Sequence, residues 1–270
     1  MTSRALIDHT ATSLASRIGP GSILVQPFGS IEQHGPHLPL ATDSILVDAS
    51  AKALVDRYGD EHDLWLLPTL TYTKSNEHAW APGTIWLSAT TMLSVIDDLA
   101  RSLALLSSRR LVFLNGHGGN SALLNVACRE VRLKYGFMTF LAHPHVPADH
   151  GSSSPATATG GADTTDELGM GIHGGIGETS AMLHVRPDLV DITKFTRNVP
   201  DSLAENAYVR FGGSVAFGWL SNDFGPDGHI GDPRGATAEL GARQFEAAVT
   251  MLGAAMGEIA RFTLPITDVS

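Results

Sequence analysis

Cysteine, clustered basic residues and long apolar runs are all scarce in this sequence, and each scarcity excludes a class of protein. The 270 residues include one cysteine, Cys128, so no disulfide can form within the chain. The longest Lys/Arg cluster is the pair Arg109 and Arg110, and the formal net charge is −10, which argues against a nucleic-acid partner. No stretch approaches the roughly 20 uninterrupted apolar residues of a membrane span. The N-terminal segment lacks the apolar core of a secretory leader. We therefore expect a soluble, cytoplasmic protein that binds neither nucleic acid nor a membrane.

Apolar runs and helical periodicities alternate along the chain, which predicts a mostly parallel sheet covered by helices on both faces. The predicted elements are, in order, strand 22–28, helix 43–57, strand 64–67, helix 91–106, strand 111–114, helix 121–135, strand 137–142, a short helix beginning at 178 and a long helix 236–262. We predict a three-layer α/β/α sandwich that forms a single domain over residues 1–270. A stretch rich in Gly, Ser, Thr and Ala, at about 143–175, is expected to be a long loop excursion.

Twelve histidines are a high count for 270 residues, and several fall in Gly/Pro-rich loops after predicted strands, where sites are built. The first such loop is GSIEQHGPHLPLATD (29–43). Glu32 and His34 are two residues apart, so an extended backbone places both side chains on one side, within reach of one metal ion or two adjacent ions. Asp43 follows at the start of a helix, where its carboxylate either bridges two cations or caps the helix.

Two further loops carry residue types that bind metals. His117 lies in a glycine-rich loop after the strand LVFL, where the backbone can pass close to a ligand; a structural histidine is the alternative. In the segment 171–185, Glu178 either complements a helix dipole or binds a metal, and His173 is available for proton transfer. Imidazoles and carboxylates without thiolates suit a catalytic Zn²⁺, Mn²⁺ or Fe²⁺ centre. Water activated by such a centre would hydrolyse an amide.

Five segments together resemble the creatininase family, also called the creatinine amidohydrolases. They are GSIEQHGPHLPLATD (29–43), NEHAWAPGTIWL (76–87), LVFLNGHGGN (111–120), HGGIGETS (173–180) and GDPRGATAELG (231–241). These segments span most of the chain in the family's order. The resemblance implies an α/β/α layered fold, two divalent metal ions per chain (Zn²⁺, Mn²⁺ or Fe²⁺) and a homo-oligomer, commonly a hexamer.

The resemblance also implies roles for individual residues. Five of them fall on the family's metal ligands, with the aspartate as the bridge: Glu32, His34, Asp43, His117 and Glu178. His173 matches a histidine beside the metals, which implies that it protonates the leaving nitrogen. The second of the five segments resembles a substrate-facing loop, which implies substrate contacts for Glu77, His78 and Trp80. For Trp80, ordinary packing is the alternative.

One position departs from creatininases proper. They carry a glutamate ligand two residues after the histidine of the NGH motif, where this chain has Gly119. Members with NGHGGN use the glutamate of the ETS motif, which is Glu178 here. The resemblance therefore implies a metal-dependent hydrolase that cleaves a non-standard C–N amide bond in a formamide, cyclic amide or small peptide-like substrate. A mycofactocin precursor peptide peptidase is one alternative. A non-catalytic metal-binding scaffold with this fold and a two-metal phosphoesterase are others.

Overall fold

The structure is a computed structural model that describes residues 3–144 and 167–265. Its described strands are β1 (Ile23–Phe28), β2 (Leu64–Leu66), β3 (Arg110–Asn115) and β4 (Met138–Ala142). Its described helices are α1 (Ala11–Arg17), α2 (Thr42–His62), α3 (Ala89–Leu103), α4 (Ser121–Tyr135), α5 (Ile176–Val185), α6 (Asp201–Ala204) and α7 (Ala238–Arg261). The predicted alternation of strands and helices is confirmed.

The strands form one parallel sheet in the order β2-β1-β3-β4. Leu24 of β1 aligns with Trp65 of β2 on one side and with Leu111 of β3 on the other. Leu111 in turn aligns with Thr139 of β4. Because β1 and β3 are adjacent and point the same way, the loops that follow them leave the sheet side by side. Open α/β sheets place their ligands at this edge.

Successive residues of the central strands enter two different apolar cores, because side chains alternate between the faces of a strand. Leu24 and Phe113 belong to a core that includes buried residues of α3 and α4. Val25 and Val112 belong to a second core, which includes buried residues of α2 and α7. Helices therefore cover both faces of the sheet, and the predicted α/β/α arrangement is confirmed.

Helix α2 ends at His62, not at the predicted residue 57. The next residue, Asp63, adopts a left-handed backbone conformation with φ 51°, and its N–H bonds to the carbonyl of Gly59. This closes the last turn of the helix. The sequence pattern missed the extension because the C-cap is an aspartate, where glycine is the usual signal.

Most of the predicted excursion lies outside the described residues, which resume at Glu167. The prediction of a single domain stays a prediction. Within residues 3–144 and 167–265, no helix is both long enough and apolar enough to cross a membrane.

Candidate metal centre

The loop after β1 supplies two of the predicted ligands. It leaves the sheet at Gly29, where close packing on helix α2 leaves no room for a side chain: a Cβ would lie 2.5 Å from Ser44 Cα. The loop then folds back on itself, and the N–H of Glu32 bonds to the carbonyl of Leu40 at 2.9 Å. As a result Glu32 and His34 are both buried, with 1% and 0% exposure.

Asp43 enters the same volume from the first turn of α2, and His117 enters it from the loop after β3. Asp43 Oδ1 lies 3.2 Å from His34 Nε2, and Asp43 Oδ2 lies 3.1 Å from His117 Nδ1. The N-cap residue of α2 is Ala41, and no side chain caps the helix. The carboxylate of Asp43 therefore faces two imidazoles instead of capping its own helix.

The carboxylate of Glu32 is surrounded by imidazoles. Its Oε2 lies 3.2 Å from His117 Nε2, and its Oε1 lies 3.4 Å from His78 Nε2. Oε1 is also 3.7 Å from His173 Nδ1 and 3.9 Å from His34 Nε2. The ring of His173 packs against the rings of His34 and His78, with centroid distances of 4.3 Å and 4.2 Å. The segments that follow β1, β2 and β3 and the distant segment of His173 thus converge on one carboxylate.

Glu178 reaches the cluster from the first turn of α5. Its Oε2 accepts a hydrogen bond from the N–H of Gly174 at 2.6 Å. Burial raises the pKa of Glu178 to about 7, against the opposing effect of the imidazole of His34. The neighbouring carboxylate of Asp43 raises this pKa further. The charge of Glu178 is therefore the one in this cluster that most needs a compensating cation.

The structure brings all five predicted ligands together. Groups whose candidate ligand atoms lie within 4.8 Å of one another are Glu32–Asp43–His117, His34–Asp43–Glu178 and Glu32–His34–His173. The first two groups share Asp43, whose Oδ1 faces His34 and whose Oδ2 faces His117. This is the arrangement expected of a carboxylate that bridges two ions.

Hydrogen bonding tests whether these residues fit a divalent ion. Within the described part of the chain, Asp43 Oδ2 is a buried oxygen without a hydrogen-bond donor. His117 donates its Nε2 proton to the carbonyl of Lys74 at 3.0 Å, so in the neutral imidazole the Nδ1 that faces Asp43 carries a lone pair. Burial acts to lower the pKa of His117, but the carboxylates of Glu32 and Asp43 raise it well above its usual value when no metal ion is bound. A buried carboxylate oxygen and an imidazole lone pair facing each other are unfavourable unless a proton or a metal ion lies between them. The residues therefore fit such an ion.

The pKa values of Asp43, His34 and His173 depend on burial and on the charges of their neighbours in the cluster. Burial acts to raise the pKa of Asp43, but the imidazoles of His34 and His117 hold it well below its usual range. The pKa of His34 rises to about 10, because Asp43 outweighs the effect of burial. Burial and the neighbouring rings of His78 and His34 lower the pKa of His173 well below its usual value. His173 is therefore neutral near pH 7.

The three residues predicted to contact substrate lie at different depths. Trp80 is 38% exposed, and its indole Nε1 donates a hydrogen bond to Ser221 Oγ at 2.7 Å. His78 is 2% exposed and lies inside the cluster. Glu77 is 7% exposed and forms an ion pair with Lys74 at 2.6 Å. Of the three, Trp80 is the one whose ring is open to a molecule arriving from solvent.

The sequence reasoning missed Gln33, which organises the histidines from one side. Its backbone carbonyl accepts a hydrogen bond from His173 Nε2 at 2.6 Å, and its side-chain nitrogen lies 3.2 Å from His78 Nδ1. Its position between the first two predicted ligands was the available signal. A residue there is held as firmly as the ligands themselves, because they share one short stretch of backbone.

A parallel α/β sheet with a buried cluster of carboxylates and imidazoles, at the carboxyl ends of its central strands, is typical of α/β enzymes that use divalent metal ions. The sequence profile of the creatininase family, described as creatinine amidohydrolase, matches residues 8–256. The chain belongs to the creatininase family. It is an amidohydrolase, a hydrolase that acts on C–N bonds.

Named relatives agree with this membership. The mycofactocin precursor peptide peptidase of Mycobacterium ulcerans is 35% identical over 248 residues, which cover 90% of this chain and 86% of that protein. The creatinine amidohydrolase of Pseudomonas putida is 32% identical over 202 residues, which cover 68% of this chain and 73% of that protein.

Solved structures agree as well. A crystal structure of creatinine amidohydrolase superposes with a TM-score of 0.75 at 26% identity and covers 97% of this chain and 100% of its own. A structure described as creatininase Mn has a TM-score of 0.73 at 26% identity, with 95% and 98% covered. A mutant creatininase of the Zn-Zn type has a TM-score of 0.72 at 26% identity, with 96% and 98% covered.

Proposed function

We propose that this amidohydrolase uses two divalent metal ions to hydrolyse an amide bond in a short peptide or peptide-like substrate. The environment of Asp43 carries the proposal. One oxygen faces His34 and the other faces His117, at 3.2 and 3.1 Å. The second oxygen is buried without a hydrogen-bond donor among the described residues. A bridging carboxylate between two cations accounts for both contacts.

The ligands divide into two sets around this bridge. One ion would be held by Glu32, Asp43 and His117, and the other by His34, Asp43 and Glu178. Imidazole and carboxylate ligands without thiolates suit Zn²⁺, Mn²⁺ or Fe²⁺. The Mn and Zn-Zn descriptions of the related creatininase structures support the first two of these metals.

When bound, such a pair of ions lowers the pKa of a water molecule and polarises a carbonyl group. His173 supplies the proton transfer. Its Nε2 proton is donated to the carbonyl of Gln33 at 2.6 Å, which fixes the tautomer and leaves Nδ1 free, 3.7 Å from Glu32 Oε1. Because His173 is neutral, Nδ1 first takes the proton released by the attacking water and then delivers it to the leaving nitrogen. The predicted proton donor is therefore a base before it is an acid.

A peptide-like substrate is favoured over creatinine by the relatives. The peptidase from M. ulcerans has the higher identity and covers a larger share of this chain than the P. putida creatinine amidohydrolase does. The exposed ring of Trp80 offers an aromatic surface for a side chain of such a substrate. The homo-oligomer and the cytoplasmic location stay predictions.

Metal removal and replacement test the proposal. The purified protein is expected to contain about two divalent ions per chain, to lose activity in a chelator, and to regain it with Zn²⁺, Mn²⁺ or Fe²⁺ added separately. The substrate panel comprises short peptides, formamides, cyclic amides and phosphate esters. Amide hydrolysis at the untreated rate in the chelator-treated protein would contradict the proposal. Cleavage of the phosphate esters alone would favour the phosphoesterase alternative, and an absence of bound metal would favour a scaffold.

A further inference from the structure

A lysine and a glutamate three residues apart lie behind His117, on the side away from Asp43. The backbone carbonyl of Lys74 accepts the His117 Nε2 proton at 3.0 Å, and Glu77 Oε1 lies 3.5 Å from the same nitrogen. The ammonium group of Lys74 donates to Glu77 Oε2 at 2.6 Å. Together with Glu32 Oε2, which lies 3.2 Å from the same nitrogen, these acceptors favour a proton on Nε2 and leave Nδ1 to face Asp43 Oδ2.

The segment that carries this pair is tied to the loop that carries His117. The backbone N–H of Lys74 donates to Asn120 Oδ1 at 3.2 Å, and Asn120 Nδ2 donates to the carbonyl of Gly29 at 3.2 Å. Asn120 thus connects three loops: those after β1 and β3, and the one that precedes Glu77. The carbonyl behind His117 is positioned by these bonds, whatever is bound in front of it.

The carboxylate of Glu77 fills the space beside Gly119. A Cβ built on Gly119 would lie 1.8 Å from Glu77 Oε1 and 2.5 Å from His117 Nε2. Both distances are far below van der Waals contact, so a side chain at this position would have to displace the carboxylate and push on the ring. Glu77 is 7% exposed and bound to Lys74, which leaves it little freedom to move away.

We propose that Glu77 is a positioning residue that holds His117 in its metal-binding tautomer and orientation, and that residue 119 must be glycine to leave room for it. The inference rests on the proposed two-metal centre. Outer carboxylates and carbonyls that accept the second N–H of a ligating histidine raise metal affinity by orienting the ring and increasing its basicity. Lys74 and Glu77 together have this geometry, with the lysine holding the carboxylate in place.

Stepwise Co²⁺ binding to the full-length apoprotein, followed by the visible absorption of the bound ion, tests the inference without substrate. Glu77→Ala and Gly119→Ala are each expected to weaken one of the two binding steps by about 10- to 100-fold and to change its spectrum. The step that His117→Ala abolishes should be the same one. The other step, assigned to the His34 and Glu178 side, should keep its affinity.

A double variant sharpens the test. Glu77→Ala removes the atom closest to the new Cβ, so Gly119→Ala should cost less in that background than in the wild-type chain. Glu77→Gln keeps the volume of the side chain and should weaken the same step by a smaller factor, which also covers the case in which Glu77→Ala fails to fold.

Two control variants match these changes. Gly177→Ala is next to a proposed ligand, but its Cβ would meet no atom within 4 Å, and Glu246→Ala removes an exposed carboxylate paired with Arg57. Both should leave the two Co²⁺ affinities unchanged.

Unchanged affinities in Glu77→Ala and Glu77→Gln, with only KM raised, would overturn the inference and make Glu77 a substrate contact. Failure of the wild-type protein to bind Co²⁺ at either step would instead overturn the proposed function.

Discussion

Two polar clusters lie at opposite ends of the same sheet, and their aspartates are satisfied in different ways. Asp63 directly precedes β2. Its Oδ1 accepts hydrogen bonds from Arg4 Nη1 at 2.5 Å and from Trp65 Nε1 at 3.0 Å, and its Oδ2 accepts one from Ser22 Oγ. Asp43, beyond the carboxyl end of β1, has one oxygen that no described donor reaches.

The difference distinguishes a carboxylate that protein donors satisfy from one that we propose binds metal ions. The pKa of both aspartates is lowered against the effect of burial. For Asp63 the opposing groups are donors fixed in the fold, including the always charged Arg4. For Asp43 they are two imidazoles, which are themselves metal ligands when neutral. The amino-end cluster satisfies its aspartate with protein donors, whereas Asp43 Oδ2 has no hydrogen-bond donor among the described residues and is available to the proposed metal ions.

The largest effect should come from Asp43→Asn, because an amide cannot bridge two cations as a carboxylate does. We expect amide hydrolysis to fall by more than the roughly 10- to 100-fold that outer partners of metal ligands cost. Initial rates in saturating Zn²⁺ or Mn²⁺ measure this change. Asp63→Asn is the control and should keep the wild-type rate. Equal losses of activity in the two variants would show that Asp43 and Asp63 have the same kind of role.

Metal should stabilise the folded protein through one cluster only. At a free ion concentration 100 times the dissociation constant, binding adds about 2.7 kcal/mol to the free energy of unfolding. Thermal unfolding with and without Zn²⁺ or Mn²⁺ measures the gain. The gain should persist in Asp63→Asn and be much smaller in Asp43→Asn. A gain of the same size in Asp43→Asn would place the bound ions elsewhere.

Asp63→Asn should lower stability without changing the chemistry. Asparagine tolerates the left-handed backbone at this position, so the change isolates the carboxylate. It replaces one accepting oxygen by an NH₂ group that faces a donor, and we expect a loss on the order of 1 kcal/mol in the free energy of unfolding, given the partial exposure of the site. Urea unfolding of the metal-free proteins gives the value. A loss near zero would mean that water replaces the three donors.

The smallest expected effect is the pH dependence of the stability that Asp63→Asn loses. The pKa of Asp63 is lowered in the folded state from its ordinary value of 3.8. Its contribution to stability is therefore fully present above pH 3.8 and is lost as the pH falls through the lower folded-state pKa. The stability difference between wild type and Asp63→Asn should be constant from neutral pH down to about 5 and shrink below 4. A difference that grows on acidification would contradict the assigned cause.

Much of the fold could be predicted because parallel strands are buried on both faces. The run LVFL therefore had to be apolar throughout, and its helix neighbours had to show a stripe on one side. Four of the ligands could be predicted to lie together for a related reason: the loops after adjacent parallel strands leave the sheet at the same edge. These ligands are Glu32, His34, Asp43 and His117. Helix ends were harder to predict. The C-cap of α2 is Asp63, whereas glycine is the residue that usually marks the end of a helix.

Other features depended on packing between distant segments. Gln33 acquired its role because His173, 140 residues later in the chain, folds back to its carbonyl. Glu77 is linked to the site only in the folded structure, where its carboxylate fills the space beside Gly119. No spacing rule connects residues 77 and 119, because their contact is set by how two loops pack at the edge of the sheet.

The sequence by itself determined the alternating layers and the residue types gathered at the carboxyl ends of the strands, because periodicity and strand direction are local properties. Only the tertiary structure decided which oxygen of Asp43 has no hydrogen-bond donor among the described residues, which nitrogen of His117 faces it, and that the carboxylate of Glu77 fills the space beside Gly119. These depend on distances of a few ångströms between separate segments, which packing sets and sequence spacing does not.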